Sequence, residues 1–322
     1  IAVNRIIYFF AVLVVFVSLL LTSTNLLALE KVRLGSAIKV APAYYLPIIA
    51  GEEKGFWKQN KLEVTWIPFK SSTNMNRALT AKQMDVGFSM VPPTFLGIAG
   101  GMPAVVIAEL TPVEEFNIWV RSDSPIRTPQ NLAGAKISVG RMGDTSHAYG
   151  LLVAKALGLS GKVRFVGSGG IAESIGSLQA KVVDASVIAF LIMAKLKAKG
   201  AVRDIARIQD YVPKDWSENI VIGHRQYIQD QPKTVARLLK AISQAIGFVM
   251  SNQDWSLKKM KTLSGFPPEV AKMVYQRLKF TPGGKINEKG LENVLNFMVE
   301  FGVLDKKRKP PLEKLYTKQF TG

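Results

Sequence analysis

Residues 79–87 (LTAKQMDVG) and 178–186 (LQAKVVDAS) share Leu, Ala, Lys and Asp at equivalent positions, and this pair of segments decides the fold. The stretches before them also agree. An apolar run at 64–69 and a polar turn precede the first copy, and an apolar run at 163–166 and a glycine turn precede the second. Each copy predicts strand, turn, helix, Asp and strand, which is the βαβ unit of a parallel sheet. Two such α/β lobes predict a cleft between them, and we expect the function to lie there.

The pattern around the repeat continues in both directions as alternating strands and helices. Strands are predicted at 31–36, 62–69, 86–90, 104–110, 116–120, 136–140, 163–166, 185–189 and 219–223. Beyond residue 223 the apolar periodicity predicts helices at 230–252, 254–263, 267–279 and 287–302, with a short piece near 311–318.

This layout predicts a chain that leaves the first lobe and returns to it. The isolated strands 116–120 and 219–223 are predicted to be the crossovers, and the C-terminal helices to pack back on lobe one. The expected division is a signal peptide at 1–28, lobe one at 29–115 plus 224–322, and lobe two with the crossover strands at 116–223. Hinges are expected near 111–116 and 218–224.

The N-terminus has the pattern of a secretory signal peptide. Asn4 and Arg5 precede an uninterrupted apolar run at 6–17, and a small-residue cleavage site follows at Ala28. The alternative is an uncleaved signal anchor, because the apolar run nearly reaches the length that spans a bilayer. The pattern predicts an exported protein of the periplasm.

Composition narrows the class further. The chain of 322 residues has no cysteine, which excludes disulfides and a lipid-modified N-terminal cysteine and favours a soluble periplasmic protein. The net charge is +18, but the basic residues are scattered, with one dense cluster at 306–309 (KKRK). Together with export, this scatter argues against a nucleic-acid partner and favours attraction to anionic solutes or membrane surfaces.

The strongest local candidate for a ligand site is 140–147 (GRMGDTSH). It ends a predicted strand and opens a helix for which Asp144, Thr145 or Ser146 would be the cap. Hydroxyls, backbone N–H groups and the guanidinium of Arg141 would converge there on a polar ligand group. The alternative is ordinary helix capping with Arg141 in solvent.

A second glycine-rich turn, 167–172 (GSGGIA), formally matches a dinucleotide-binding fingerprint. The acidic residue expected at the end of the next strand is missing, since that strand ends in 188–190 (IAF). We therefore expect no cofactor. The turn is predicted to open a helix whose N-terminal N–H groups face the cleft.

The sequence offers little for catalysis or metal binding. The histidines are His147 and His224, far apart in the chain, and no nucleophile elbow, H-E-x-x-H or P-loop pattern occurs. We therefore expect no catalytic residues and no metal. The acids that the repeat shares, Asp85 and Asp184, are predicted to fix the turn from helix to strand.

Several segments in order resemble a known family: 50–57 (AGEEKGFW), 62–64 (LEV), 78–87 (ALTAKQMDVG), 120–126 (VRSDSPI) and 131–139 (NLAGAKISV). The family is the periplasmic substrate-binding proteins of ABC importers for alkanesulfonates, taurine, nitrate and thiamine-pyrimidine precursors. The resemblance covers roughly 30–225. It implies the type II periplasmic-binding-protein fold, an α/β fold with two lobes joined by two crossover strands. It also implies a monomer that closes on a small-molecule solute and docks on an inner-membrane ABC permease.

The resemblance places ligand contacts in loops at the strand ends, where the analysis of the residues also puts the cleft. The implied ligand-binding residues are Ser36, Ala41, Tyr44, Ser71, Ser72, Ser89, Met90, Arg141, Gly143, Thr145, Ser146, Ser168, Gly169, Ile188 and Phe190. One departure is Lys82-Gln83, where relatives commonly have a glycine. Another is that the cysteine-rich motif of the related pyrimidine-synthesising enzymes does not occur.

The sequence thus predicts a non-catalytic protein that captures a small, anionic organic solute in the inter-lobe cleft and delivers it to a permease. Two alternatives stay open. One is an exported or membrane-anchored enzyme of the same fold that acts on a small metabolite. The other is a sensory input domain, which would need a signalling partner.

Overall fold

The computed structural model describes residues 29–36, 42–112 and 115–321, and within them the chain forms two five-stranded sheets. The expected signal peptide, 1–28, lies outside the described residues. The first sheet has the order β2-β1-β3-β10-β4, with β1 at Glu30–Ser36, β2 at Leu62–Pro68, β3 at Val86–Met90, β4 at Ala104–Thr111 and β10 at Asn219–His224. The second has the order β7-β6-β8-β5-β9, with β5 at Phe116–Arg121, β6 at Lys136–Val139, β7 at Arg164–Gly167, β8 at Ala185–Ala189 and β9 at Val202–Arg207.

Helices cover the sheets and fill most of the C-terminal third. Those of the first lobe are α1 (Leu46–Glu53), α2 (Phe56–Gln59), α3 (Ser72–Thr80) and α4 (Val91–Ala99), and those of the second are α5 (Thr145–Ala156), α6 (Ile171–Gln179) and α7 (Phe190–Ala198). The chain then forms α8 (Arg225–Asp230), α9 (Pro232–Ser251), α10 (Gln253–Ser264), α11 (Pro268–Tyr275) and α12 (Glu288–Glu300). None of the helices in the described part of the chain is both long and apolar enough to cross a membrane.

The repeat of the sequence is a repeat of the structure. Asp85 Oδ2 accepts a hydrogen bond of 2.8 Å from the backbone N–H of Arg33, and Asp184 Oδ2 accepts one of 2.8 Å from Lys136. In both lobes this carboxylate continues the parallel ladder between the first and third strands of the unit, β1·β3 and β6·β8. These acids therefore join the third strand to the first, and their bonds are to the first strand rather than to the turn from helix to strand that the sequence predicted.

The two copies also share a turn of left-handed backbone conformation. Lys82 has φ of 54° and Lys181 has φ of 61°, a region that glycine enters at lower cost than any residue with a Cβ. In each lobe this turn ends the helix and leads the chain into the strand that follows.

Strand β10 lies in the first lobe. The expected lobe boundary at 223 would have placed it in the second. β10 is inserted into the first sheet, antiparallel to both β3 and β4. Its residues Ile220, Val221 and Ile222 are fully buried, which only a central position with both faces covered provides. The chain therefore passes between the sheets twice, once between β4 and β5 and once between β9 and β10, through 208–218.

The second sheet contains a strand that the sequence did not predict. β9 lies at the sheet edge beside β5, and its sequence, VRDIAR, has charges where a strand pattern expects apolar residues. These charges are paired: the carboxylate of Asp204 binds Lys197, and the Arg203 guanidinium donates to backbone carbonyls including Ser122 O at 2.6 Å. Charged side chains are common on edge strands because they discourage pairing with other chains.

The C-terminal helices contact both lobes rather than lobe one alone. Val249 of α9 and Val270 of α11 belong to one apolar cluster with Trp119 and Phe190 of the second lobe. Arg277, just after α11, forms an ion pair with Glu115 in the first crossing, and its guanidinium lies 4.0 Å from the centre of the Phe190 ring. The last third of the chain therefore bridges the two sheets.

The paired acids generate a stability prediction. Asp85→Ala removes the acceptor of the Arg33 N–H and an ion pair of 2.6 Å, so we expect it to lower the free energy of unfolding by about 2 kcal/mol. Asp184→Ala removes the equivalent backbone acceptor at a more exposed site and should cost about 1 kcal/mol. Urea unfolding measures both. The control is Asp215→Ala, a change of the same type at an exposed position, and equal midpoints for all four proteins would contradict the assigned role.

Candidate functional site

A cavity of about 580 Å³ lies between the two lobes. It is placed where the parallel strands of both sheets end and the following helices begin, so that five helix N-termini, those of α3 to α7, approach it. Its lining residues are Lys70, Ser71, Ser72, Thr73, Asn74, Met90, Pro93, Phe116, Gly140, Arg141, Asp144, Thr145, Ser146, Gly169, Gly170, Ile171, Ala172, Glu173, Ser174, Val187, Ile188, Ala189 and Ile192. The ends of parallel strands are the usual ligand sites of α/β sheets.

Asp144 organises the wall that the second lobe contributes through α5. Its carboxylate caps the helix by accepting from the His147 N–H at 3.1 Å, and it also accepts from the Arg141 N–H and the Ser146 hydroxyl. Ser146 Oγ in turn accepts from the Gly140 N–H at 2.8 Å. These bonds occupy the carboxylate and shape the loop, so Asp144 is a structural cap rather than a free acid.

Arg141 extends from this loop into solvent at the mouth of the cavity. Its side chain is exposed, and its Nε donates to the Gly169 carbonyl at 3.4 Å. Both features of the alternative, ordinary helix capping with Arg141 in solvent, are therefore present, since the helix is capped and the guanidinium is exposed. The arrangement still leaves most of the guanidinium donors available to a ligand at the mouth.

The second wall of that lobe is the N-terminus of α6. Gly170 is its N-cap residue, so no side chain caps the first turn, and Gly169 before it has φ of 94°. The first N–H groups of a helix have no partner within the helix. The glycine turn thus presents backbone donors on the side that lines the cavity, as the sequence predicts.

The first lobe contributes a polar and an apolar surface. Ser71 caps α3 by accepting from the Asn74 N–H at 3.2 Å, and the exposed Lys70 stands just before it. Met90 and Pro93 form the apolar surface at the start of α4. Thr145 of the second lobe contacts Met90 Sδ at 3.8 Å, so the lobes touch at this point.

Behind the cavity, aromatic rings connect it to the second crossing. Phe116 lines the cavity and lies edge-on to Tyr149, with ring centroids 5.2 Å apart. Trp216 follows in the 208–218 crossing, and its indole N–H donates to Tyr149 Oη at 3.0 Å. Trp216 also packs against Phe297 of α12. A change at the cavity can therefore reach the crossing through direct ring contacts.

The structure brings together just over half of the residues predicted from the sequence. Those that line the cavity are Ser71, Ser72, Met90, Arg141, Thr145, Ser146, Gly169 and Ile188. Those that lie outside its lining are Ser36, Tyr44, Ser89, Gly143, Ser168 and Phe190, and Ala41 lies outside the described residues.

Three of the residues outside the lining have other partners. Ser36 Oγ accepts from the Trp66 indole at 2.9 Å, and Ser89 Oγ shares a hydrogen bond of 2.8 Å with Thr94. Phe190 is covered by Arg277 and is buried with Trp119. Each lies at a strand end, but its side chain points to a different neighbour, which a position in sequence does not reveal.

Sequence reasoning missed several residues of the lining. Lys70, Phe116, Glu173, Ser174 and Ile192 all line the cavity. Lys70 and Phe116 border a predicted turn and a predicted crossover, so their places in the chain were a usable signal. Glu173, Ser174 and Ile192 lie within the first turn or so of their helices, and only the phase of the helix would have identified them.

Comparison with known proteins assigns the chain to a family. A family model described as NMT1/THI5 like matches residues 43–256 of the 322. No curated protein sequence matches the chain.

Solved structures show the fold. A Candida albicans protein described as having the generic periplasmic binding protein fold superposes with a TM-score of 0.78 at 16% identity, covering 90% of this chain and 97% of that one. The aliphatic sulphonate binding protein SsuA of Escherichia coli gives 0.73 at 19% identity, covering 89% and 92%. The nitrate-binding protein NrtA of Synechocystis gives 0.74 at 13% identity, covering 91% and 87%. The chain has the periplasmic binding protein fold, as the resemblance implied.

His147 at the start of α5 generates a pH prediction. Burial lowers the pKa of His147 below its ordinary 6.5, against a smaller opposing effect of Asp144, and its Nδ1 accepts from the Gly143 N–H at 3.0 Å. Between the lowered pKa and 6.5 the unfolded chain binds more protons than the folded one, so folding stability falls as the pH is lowered through that range. We expect His147→Asn, which keeps an acceptor near the Gly143 N–H, to lose less stability than the wild type on acidification.

Urea midpoints of both proteins at pH 7.5 and pH 5.5 measure this difference. Burial also lowers the pKa of His224 and raises that of Glu109, but both groups are present in both proteins and cancel in the comparison. Equal losses of stability in the wild type and the variant would contradict the prediction.

Proposed function

Because the chain belongs to the NMT1/THI5-like family, we propose that it is the extracytoplasmic solute-binding component of an ABC importer. It captures a small solute between its lobes and delivers it to an inner-membrane permease. The observation that carries the proposal is the cavity of about 580 Å³, to which both lobes contribute helix N-termini. Its volume is that of a small-molecule site. The mature chain, without 1–28, would act as a monomer in the periplasm.

The chemistry of the cavity supports an anionic organic solute. Arg141 and Lys70 are exposed cations at its mouth, one from each lobe, and the hydroxyls of Ser71 and Thr145 line it. The net charge of +18 adds a long-range attraction for anions. The apolar surface of Met90 and its neighbours suits a hydrocarbon tail. Sulphonate-binding and nitrate-binding proteins among the structural neighbours fit the same charge preference.

Binding would shift an equilibrium between open and closed arrangements of the lobes. The two connections between the sheets, from β4 to β5 and from β9 to β10, are those about which the lobes would turn. In the second crossing, Ser217 Oγ donates to the buried carboxylate of Glu109 at 2.6 Å, which ties the hinge to β4. Trp216 next to it is in contact with Tyr149 of α5. Its ring environment would therefore change when the lobes move.

The enzyme alternative gains no support from the groups that line the cavity. Asp144 accepts three hydrogen bonds from its own loop, and His147, which lies outside the lining, uses Nδ1 to accept from a backbone N–H. These bonds fix the loop. A carboxylate that caps a helix and accepts three hydrogen bonds is poorly placed to exchange a proton with a substrate.

The test is a ligand panel applied to residues 29–322: alkanesulfonates, taurine, nitrate, carboxylates and pyrimidines. A ligand at a hundred times its Kd should add roughly 2.7 kcal/mol to the free energy of unfolding, which raises Tm by several degrees. Tryptophan fluorescence should change with the same Kd. The fluorescence change should be absent or smaller in Trp216→Phe, which keeps the ligand-induced rise in Tm. A panel without any binder would contradict the proposal.

Arg141→Gln tests the preference for anions. Removing one cation from the mouth should weaken binding of the anionic ligand found in the panel by about tenfold, measured by calorimetry, and leave stability within about 0.5 kcal/mol. Arg127→Gln is the matched control, with the same change of charge at an exposed position outside the cavity lining. Equal affinities for both variants would show that the anion is not held by Arg141.

A further inference from the structure

Ser174, in the first turns of α6, is a buried polar group that its surroundings leave incomplete. It lines the cavity, and only 1% of its surface is exposed. Within the described part of the chain, its Oγ has no hydrogen-bond partner. A buried hydroxyl without a partner is costly, and most such groups in folded proteins are satisfied by something. A ligand in the cavity is the available partner.

Two further buried serines, one on each of two neighbouring strands, form hydrogen bonds next to Ser174. Ser138 on β6 and Ser186 on β8 share a hydrogen bond of 2.7 Å between their hydroxyls, and Ser186 Oγ also donates to the Ser174 carbonyl at 3.4 Å. Either hydroxyl can donate in the 2.7 Å bond, and when Ser186 donates to the Ser174 carbonyl, Ser138 donates to Ser186. These hydrogen bonds tie the first turns of α6 to the sheet. The Ser174 hydroxyl takes no part in these hydrogen bonds, on a residue that lines the cavity.

The equivalent place in the first lobe is apolar. The sheet register pairs Gly35 with Gly87 there, as it pairs Ser138 with Ser186 in the second lobe. The repeat places Met75 at the position of Ser174. A Cβ on Gly87 would lie 2.4 Å from Met84 Cε and 3.1 Å from Met75 Sδ, so methionine side chains fill the space that the serines occupy in the other lobe.

From this asymmetry we propose that Ser174 Oγ and the uncapped N–H groups of the first turn of α6 form the polar subsite of the cleft. The subsite binds an oxygen acceptor of the solute's head group, such as a sulfonate or carboxylate oxygen. The apolar tail then lies towards Met90 and Pro93 of the first lobe. The inference rests on the proposed function, because it assigns the orientation of the solute in the same cavity.

The charges around the subsite agree with an anionic head. Arg141 reaches the Gly169 carbonyl with its Nε, directly beside the N-cap Gly170, so its guanidinium lies next to the uncapped turn. The helix dipole adds to this attraction at the same end. Glu173 is the opposing charge: it lines the cavity, and a Cβ on Gly170 would lie 2.5 Å from its Oε2, so its exposed side chain has to turn away into solvent when an anion binds there. Ser186 does not touch the solute and acts as a positioning residue for α6.

The test uses methanesulfonate, which carries the head group without a tail, at constant ionic strength set with chloride. In ¹⁵N-labelled protein we expect its titration to shift the amides of 169–172 more than those of 72–75 at the start of α3. Ser174→Ala should weaken binding about tenfold. Ser177→Ala, the same change on the same helix outside the cavity lining, should bind as the wild type does.

Two more variants separate contact from positioning. Ser174→Cys keeps a similar size and a weak donor, so it should fall between the wild type and Ser174→Ala, and it serves if the alanine variant does not fold. Ser186→Ala should reduce the amide shifts of 170–172 by loosening the turn while Ser174 is still present. Equal affinity in the wild type and both Ser174 variants, or shifts centred on 72–75, or no shift at 169–172, would overturn the inference.

The result separates this inference from the proposed function. If methanesulfonate binds at α6 with the expected variant effects but no member of the ligand panel changes the tryptophan fluorescence, the subsite stands and the lobe closure that the transport function requires falls. If a panel member binds and changes the fluorescence of Trp216 while Ser174→Ala binds it equally well, the transport function stands and the subsite is wrong.

Discussion

A strand that enters either sheet from the other lobe has to run away from the cleft, and this constraint arranges the rest of the molecule. β5 enters the second sheet and β10 enters the first, and each pairs antiparallel with both of its neighbours. The remaining strands are then free to run parallel, with their carboxyl ends towards the cleft. Helices α3 to α7 follow such strands and begin at the cleft, so that their first N–H groups face the same space. The polar character of the cavity is thus a consequence of topology before any side chain is considered.

The sheet pattern was predictable where the two lobes repeat each other and less so where the chain passes between them. The shared Lys and Asp of 79–87 and 178–186 perform the same backbone tasks in both lobes, so their recurrence in sequence reflected a real equivalence. β9 was not predicted, because its charges are satisfied by partners that the sequence pattern does not reveal, such as the distant Ser122 carbonyl for Arg203. The place of β10 depended on pairing with strands more than a hundred positions earlier, about which local hydrophobicity says nothing.

The candidate site shows the same division between local and distant information. The capping loop around Asp144 and the glycine turn before α6 are local structures, and both were recognisable from residue types. Phe190 could not be distinguished from a cavity residue without knowing that Arg277 covers it. Ser174 was overlooked because a lone serine inside a helix carries no signal; its burial and its hydroxyl neighbours exist only in the folded chain.

The bridging position of the C-terminal helices has a consequence for the order in which the chain folds. The second sheet is built from one continuous stretch, 116–207, so its strands can pair soon after they are synthesised. Yet Trp119 and Phe190 share their apolar cluster with Val249, Met260 and Val270, which emerge much later. Until then the middle of the chain carries an uncovered aromatic surface, the kind of surface that makes partly folded chains prone to association. The final third of the chain is therefore needed to complete the fold of the third before it.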